Sequence, residues 1–118
     1  MSSFNISQRQ RGTLEILDLQ GELDAHTAPE LERTILDLIE AEKYCLIVNF
    51  TALEYISSAG LGVFMAYIEE LRERGGDMKL SNMRSSVYNV FDLLGFPSLY
   101  DILEEEQQAV ERFSSDAT

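Results

Sequence analysis

Two spacings of hydrophobic residues alternate along this chain, one typical of strands and one typical of helices. Residues 45–50 are apolar almost throughout, which is the pattern of a central strand covered on both faces. The Leu- and Ile-rich run over 13–20 also predicts a strand, which an edge strand would join through a turn at Arg11 and Gly12. The predicted strands cover residues 4–9, 13–20, 45–50, 78–81 and 100–103.

Helical spacing of apolar residues predicts helices that alternate with these strands. They are expected after Thr27 and over residues 60–74, 84–94 and 104–113. The side chains expected to face the core are Leu31, Ile35, Leu38 and Ile39 in the first helix, Leu61, Phe64, Met65, Ile68 and Leu71 in the second, and Val87, Val90, Phe91 and Leu94 in the third. This alternation indicates an α/β domain with a mixed, partly parallel sheet of four or five strands and about four helices.

Two loops are predicted where strands lead into helices, over residues 21–27 and 51–57. Thr27 is placed to cap the helix that follows the first loop, because its hydroxyl can accept a bond from an unpaired N–H group. At the second loop, Ser57 or Ser58 can cap the next helix in the same way.

Length and composition suit one domain over residues 1–118, with an ordered core over about 4–113 and a short polar tail at 114–118. The formal charge of -12 argues against binding to nucleic acid or to anionic membranes. No apolar stretch approaches the roughly 20 residues of a membrane helix, and no leader pattern is visible, so a cytoplasmic protein is expected. Cys45, the single cysteine, excludes an internal disulfide and is expected to be buried in its strand.

The segment between the central strand and the second helix does not match the catalytic motifs that its glycines and serines suggest. The dinucleotide-binding pattern G-x-G-x-x-G fails at Met65, and the nucleophile-elbow pattern G-x-S-x-G fails at Ile56. A triad of Ser58 with His26 and Asp24 is disfavoured because His26 and Asp24 are too close in sequence to orient one another. His26 is instead expected to be a solvent-exposed loop residue. With one histidine and one cysteine, a zinc site is not expected either, so the sequence predicts no enzyme, no metal and no cofactor.

The order of several sequence blocks resembles the STAS domain of bacterial anti-sigma factor antagonists. The most specific block joins the central strand to the second helix, and the others support it. The blocks are Gly21–Asp24 with Ala28–Leu31, Leu46–Thr51, Ile56–Val63, and Leu93–Phe96 with Tyr100–Leu103. The resemblance covers nearly the whole chain and implies a STAS-like fold.

The resemblance implies a protein that binds a serine-kinase anti-sigma factor of the GHKL type, releases a sigma factor and is inactivated by phosphorylation. It places the phosphoacceptor at Ser58, with Ser57 as a rival, and a PP2C-type serine phosphatase would reverse the reaction. The positions implied in the phosphosite neighbourhood and in partner binding are Asp24, Asn49, Thr51, Ser57, Ala59, Gly60, Leu61 and Gly62.

This chain departs from the family at two positions, since Asn49 and Ser57 stand where the family often has Asp. These departures leave open which kinase recognises the site. The free chain is expected to be a monomer. The alternative function is a STAS scaffold subunit of a transporter or signalling assembly, whose serine is never phosphorylated.

Overall fold

Five strands form one sheet whose spatial order, β1-β2-β3-β4-β5, is the same as their order along the chain. The computed structural model describes residues 4–116, and the last two residues of the predicted polar tail lie outside this range. The elements are β1 (Phe4–Arg11), β2 (Leu14–Leu23), α1 (Ala28–Glu40), β3 (Cys45–Ile56), α2 (Ser58–Glu73), β4 (Asp77–Ser81), α3 (Ser85–Leu93), a 3-10 turn (Phe96–Ser98), β5 (Ile102–Leu103) and α4 (Glu106–Asp116).

The sheet is mixed, as the sequence predicts. β1 pairs with β2 in antiparallel fashion across a turn in which Gly12 has a φ of 62°. The pairs β2–β3, β3–β4 and β4–β5 are all parallel, and α1, α2 and α3 connect successive strands. The carboxyl ends of β2 and β3 therefore lie side by side at one end of the sheet, so the segments that follow these two strands are neighbours.

The helices divide between the two faces of the sheet. α1, α2 and α3 cover one face, where apolar residues of the sheet meet inward residues such as Ile35, Phe64 and Phe91. α4 covers part of the other face through Ala109, which packs with Ile16 and Ile47 in a smaller cluster. The central part of β3 is consequently buried from both sides, as its apolar run predicts. No helix within residues 4–116 combines the length and hydropathy needed to cross a membrane.

The loops predicted at 21–27 and 51–57 are wrong in extent because both strands run further than expected. β2 continues to Leu23, and β3 continues to Ile56. Beyond Asn49, β3 no longer pairs with β4 and is held by β2 alone. This half of β3 is exposed at most positions, and irregular pairing disturbs its two-residue alternation, so its sequence resembles a loop.

Four further expectations fail on burial or capping. Met65 is exposed because it lies on the outward side of α2, and Leu94 is exposed at the C-cap of α3, just beyond the end of that helix. Cys45 is only half-buried at the start of β3, and this partial burial raises the pKa of its thiol. Thr27 stands at the N-cap of α1, but its side chain donates to and accepts from other groups and makes no capping bond.

Candidate functional site

The last rung of the β2–β3 ladder brings two chain segments together. Leu23 and Ile56 are partners in the parallel register, and the N–H of Ser57 donates to the carbonyl oxygen of Leu23 at 2.9 Å. The loop that begins at Asp24 and the start of α2 are therefore neighbours. We call this region, made of Asp24–Thr27 and Ser57–Gly62, the Ser58 corner.

The two adjacent serines occupy different positions in the helix start. Ser57 is the N-cap residue of α2, has an extended backbone (φ -101°, ψ 172°), and its Oγ accepts from the N–H of Gly60 at 3.4 Å. Ser58 is the first residue of the helix, and it is exposed. The Ser57 hydroxyl is thus engaged in capping, whereas the Ser58 hydroxyl is presented to solvent beside the positive end of the helix dipole.

Asp24 organises the neighbouring loop through its carboxylate. Its Oδ1 accepts from the N–H of His26 at 2.9 Å and from the N–H of Thr27 at 3.1 Å. These bonds, chiefly the one from Thr27, hold the pKa of Asp24 below its ordinary value, so the side chain is a carboxylate near neutral pH. Because Oδ1 is bonded to the backbone of His26 rather than to its ring, Asp24 does not orient His26 as a triad would.

The first turn of α2 divides into an inward and an outward side. Gly60 and Leu61 are buried, whereas Ala59 and Gly62 are exposed on the same turn as Ser58. A Cβ at Gly60 would lie 2.8 Å from Cγ of Leu23 and 3.1 Å from Cγ1 of Ile56, so only glycine lets this turn pack on the sheet. The presence of glycine at this position fixes how closely α2 approaches β2.

Asn49 and Thr51 are not brought to the Ser58 corner. Oδ1 of Asn49 accepts from the N–H of Thr51 at 2.9 Å, and its Nδ2 donates to Oε1 of Glu106 in α4 at 3.0 Å. Asn49 therefore faces α4, on the side of the sheet opposite α2. Along β3 it lies seven residues before Ile56, roughly 23 Å at the usual rise of a strand. The resemblance to the family grouped these two residues with Ser58, and the prediction that β3 ends at residue 50 placed Thr51 in the loop before it.

Sequence reasoning missed Glu106, which forms the centre of a polar cluster between the sheet and α4. It accepts from Nη1 of Arg9 at 3.0 Å and from Nη1 of Arg11 at 2.9 Å, besides the bond from Asn49. The bonds from Arg9, with those from Asn49 and Arg11, lower the pKa of Glu106 to about 2 against the opposing effect of burial. No local signal marks this cluster, because its arginines are more than ninety residues from Glu106 in the sequence.

The outward surface around the Ser58 corner combines small, apolar and acidic side chains. Met65 lies two turns along α2 from Ser58 and is 55% exposed. Tyr55, near the end of β3, is also exposed, as are Glu22 and Glu54 beside it. Exposed large apolar groups beside an exposed serine are more typical of a surface for protein binding than of a closed catalytic pocket.

Comparisons with known proteins agree with this fold and indicate the family to which the chain belongs. The family model described as the STAS domain matches residues 5–109. The anti-sigma-B factor antagonist of Bacillus subtilis is 27% identical over 109 residues, which span 92% of this chain and 99% of that protein.

Among solved structures, the anti-sigma factor antagonist SpoIIAA in its unphosphorylated form aligns with a TM-score of 0.78 and 25% identity, over 96% of this chain and 97% of that one. The Bacillus cell fate determinant SpoIIAA in the phosphorylated form aligns with a TM-score of 0.69 and 25% identity, over 93% and 98% of the two chains. With a family match over most of its length and the same arrangement of sheet and helices, this chain belongs to the STAS domain family.

Proposed function

We propose that this chain is an anti-sigma factor antagonist, which binds a serine-kinase anti-sigma factor and is released when that kinase phosphorylates Ser58. The observation that carries this proposal is the exposed hydroxyl of Ser58 in the first turn of α2, next to a serine whose own hydroxyl is engaged in capping. The names of the relatives support the role, and SpoIIAA, which has a phosphorylated form, supports the mode of control.

The start of α2 can accept a phosphate without loss of the fold. A phosphoserine carries about -1.5 to -2 charges near neutral pH and has three strongly accepting oxygens. Free N–H groups and the helix dipole favour an anion at this position. Because Ser58 is exposed, its phosphate needs no rearrangement of the core, and the modification acts on the surface that a partner would contact.

Charge and bulk together explain how phosphorylation would end binding. The Asp24 carboxylate lies in the adjoining loop, so the phosphate adds to an existing negative site in a chain of net charge -12. A partner that packs on uncharged Ser58 would meet a larger group and would have to desolvate a dianion. A loss of about 3 to 4 kcal/mol weakens binding by a few hundredfold.

The partners follow from this cycle. The kinase is an anti-sigma factor of the GHKL type, and a PP2C-type phosphatase restores the binding form by hydrolysing the phosphoserine. Its exposure leaves Ser58 accessible to both enzymes, which would share the cytoplasm with this chain. We infer that this chain itself acts by binding and not by catalysis, as the names of its relatives, which are antagonists of anti-sigma factors, suggest.

The test uses the purified anti-sigma factors encoded by the organism that makes this chain. Each is incubated with the chain and ATP, and phosphopeptides are mapped by mass spectrometry. We expect phosphate on Ser58 in wild type and in Ser57→Ala, and none in Ser58→Ala. The affinity for the anti-sigma factor, measured by calorimetry, should fall at least about a hundredfold when the chain is phosphorylated.

Phosphate on another residue, or undiminished binding after phosphorylation of Ser58, would contradict this switch. A stable stoichiometric complex with a transporter ATPase that ATP and the kinases leave unchanged would favour the scaffold alternative instead.

A further inference from the structure

Two glycines one residue apart in α2 differ in what the fold requires of them. Gly60 is buried, and any side chain there would collide with Leu23. Gly62 is exposed, and a Cβ placed on it would have nothing within 4 Å. The fold therefore explains the glycine at position 60 but gives no reason for the glycine at position 62.

Glycine at position 62 weakens the helix. It lies inside α2, a helix of 16 residues, where glycine is one of the least favourable residues and alanine the most favourable. Its φ is not among the positive values that would require glycine, since those belong to Gly12, Gly21, Gly75 and Gly95. An alanine would fit the open space and strengthen α2, so the reason for glycine lies outside the free chain.

The position of Gly62 on the helix indicates what that reason is. It lies four residues after Ser58, which is about one turn and 6 Å along the same face. Met65, a further three residues on, continues this face and exposes a large apolar side chain. Gly62 has no side chain, so it leaves a shallow depression in the helix surface between the side chains of Ser58 and Met65.

We propose that the main chain of the anti-sigma factor packs directly against Gly62, so that the missing side chain admits a close approach one turn from Ser58. This inference rests on the proposed function, because the relatives are antagonists of anti-sigma factors, and it adds the contact through which the switch acts. A glycine lets two backbones approach closely enough for Cα–H···O contacts. Met65 would cover one side of this contact. On the other side, a phosphate on Ser58 would displace the main chain of the anti-sigma factor.

The test compares Gly62→Ala with wild type and with Asn89→Ala. Asn89 is exposed inside α3, so its replacement strengthens a different helix and serves as the matched control. Melting is followed by circular dichroism, and binding to the purified anti-sigma factor that the wild-type chain binds is measured by calorimetry. We expect Gly62→Ala to raise the melting temperature by about 2 to 5 °C and to weaken binding by about tenfold or more.

Asn89→Ala should also raise the melting temperature while its affinity stays within about twofold of wild type. Because one partner segment would meet both positions, phosphorylation should weaken the binding of Gly62→Ala by a smaller factor than that of wild type.

Three results would overturn this inference while the proposed function stands. They are a Gly62→Ala variant that binds within about twofold of wild type, one that melts at a lower temperature, and a wild-type homodimer in sedimentation that Gly62→Ala dissociates. In the last case a second copy of this chain, and not the anti-sigma factor, would occupy the face. Failure of the wild-type chain to bind any of the anti-sigma factors would instead refute the proposed function, and this inference with it.

Discussion

The N–H of Ser57 donates to the carbonyl oxygen of Leu23, so the cap of α2 is attached to the end of β2 by a backbone bond of 2.9 Å. The same Leu23 side chain lies against the bare Cα of Gly60 one turn later. Ser58 is therefore held between two points of contact with Leu23 in β2, one made by the backbone and one by the Leu23 side chain.

The first prediction separates the two serines by stability. Ser57→Ala removes the capping acceptor and should lower the free energy of unfolding by about 0.5 to 1 kcal/mol, the lower part of the usual range because the bond to Gly60 is long at 3.4 Å. Ser58→Ala should change it by less than about 0.5 kcal/mol, since the side chain is exposed. Urea unfolding followed by circular dichroism measures both losses. A larger loss for Ser58→Ala than for Ser57→Ala would mean that Ser58, and not Ser57, caps α2.

The second prediction concerns the contact of Gly60 with β2. Gly60→Ala places a methyl group 2.8 Å from Cγ of Leu23 and should destabilise the chain by about 1 to 3 kcal/mol. If the contact is the cause, shortening the opposing side chain should relieve it. The double variant Gly60→Ala with Leu23→Ala should then lose less than the sum of the two single losses. Additive losses in denaturant unfolding would show that Gly60 matters for another reason.

The third prediction tests the charge of Asp24 in the proposed switch. Asp24→Asn keeps an amide oxygen that can accept from the N–H groups of His26 and Thr27, so the loop should be retained. Removing the neighbouring negative charge should let the phosphorylated chain bind its anti-sigma factor about two- to fivefold more tightly than phosphorylated wild type. The difference should shrink in high salt, because salt screens the interaction. If phosphorylated Asp24→Asn and phosphorylated wild type bind with equal affinity at low salt, the charge of Asp24 plays no part and the bulk of the phosphate would account for release.

The fourth prediction concerns the dependence of stability on pH through Glu106. Its pKa in the folded chain is about 2, against an ordinary value of 4.5. A group whose pKa is depressed by folding stabilises the fold above its unfolded pKa, and this contribution is lost as the pH falls from about 4.5 to about 2. Glu106 is 13% exposed but its arginine partners are more open to solvent, so we expect a contribution of about 1 to 2 kcal/mol.

Glu106→Gln should therefore be less stable than wild type by about 1 to 2 kcal/mol at pH 7, and the gap should close as the pH falls below about 3. Glu104→Gln is the matched control, since Glu104 is exposed in the segment before α4 and should unfold like wild type at both pH values. Urea titrations across this pH range measure the gap. A gap that does not change with pH would mean that Glu106 acts through shape and not through its charge.

Much of the fold could be predicted because its signals are local. The buried run Leu46–Phe50, the inward side of α1 and the glycines after α2 each specify their element from within one window of sequence. The end of β3 could not be predicted in this way. Residues 51–56 form a strand because β2 offers them partners, and their exposed, irregularly paired positions carry no strand pattern of their own.

The site was predictable to a different degree. Glycines and serines at a strand-to-helix junction indicate the helix start, but sequence leaves open which serine caps it, because that choice depends on φ and ψ. The sequence alone does not distinguish the buried Gly60 from the exposed Gly62. The difference comes from the fold, which packs Leu23 against Gly60 and nothing against Gly62. The bonds to Glu106 join the two ends of the chain and depend on the completed sheet.

The order of the strands across the sheet has a consequence for synthesis. Each strand pairs with the one made just before it, so no step of sheet assembly has to wait for a strand that is made later. Each parallel pair is made by consecutive strands, so its pairing spans no more chain than one connecting segment requires. The Ser58 corner is built from residues at the ends of β2 and β3 and the start of α2, so neither α3 nor α4 supplies a residue to it. The polar cluster of Glu106, which joins β1 to α4, and the packing of Ala109 on Ile16 and Ile47 must wait for the last segment.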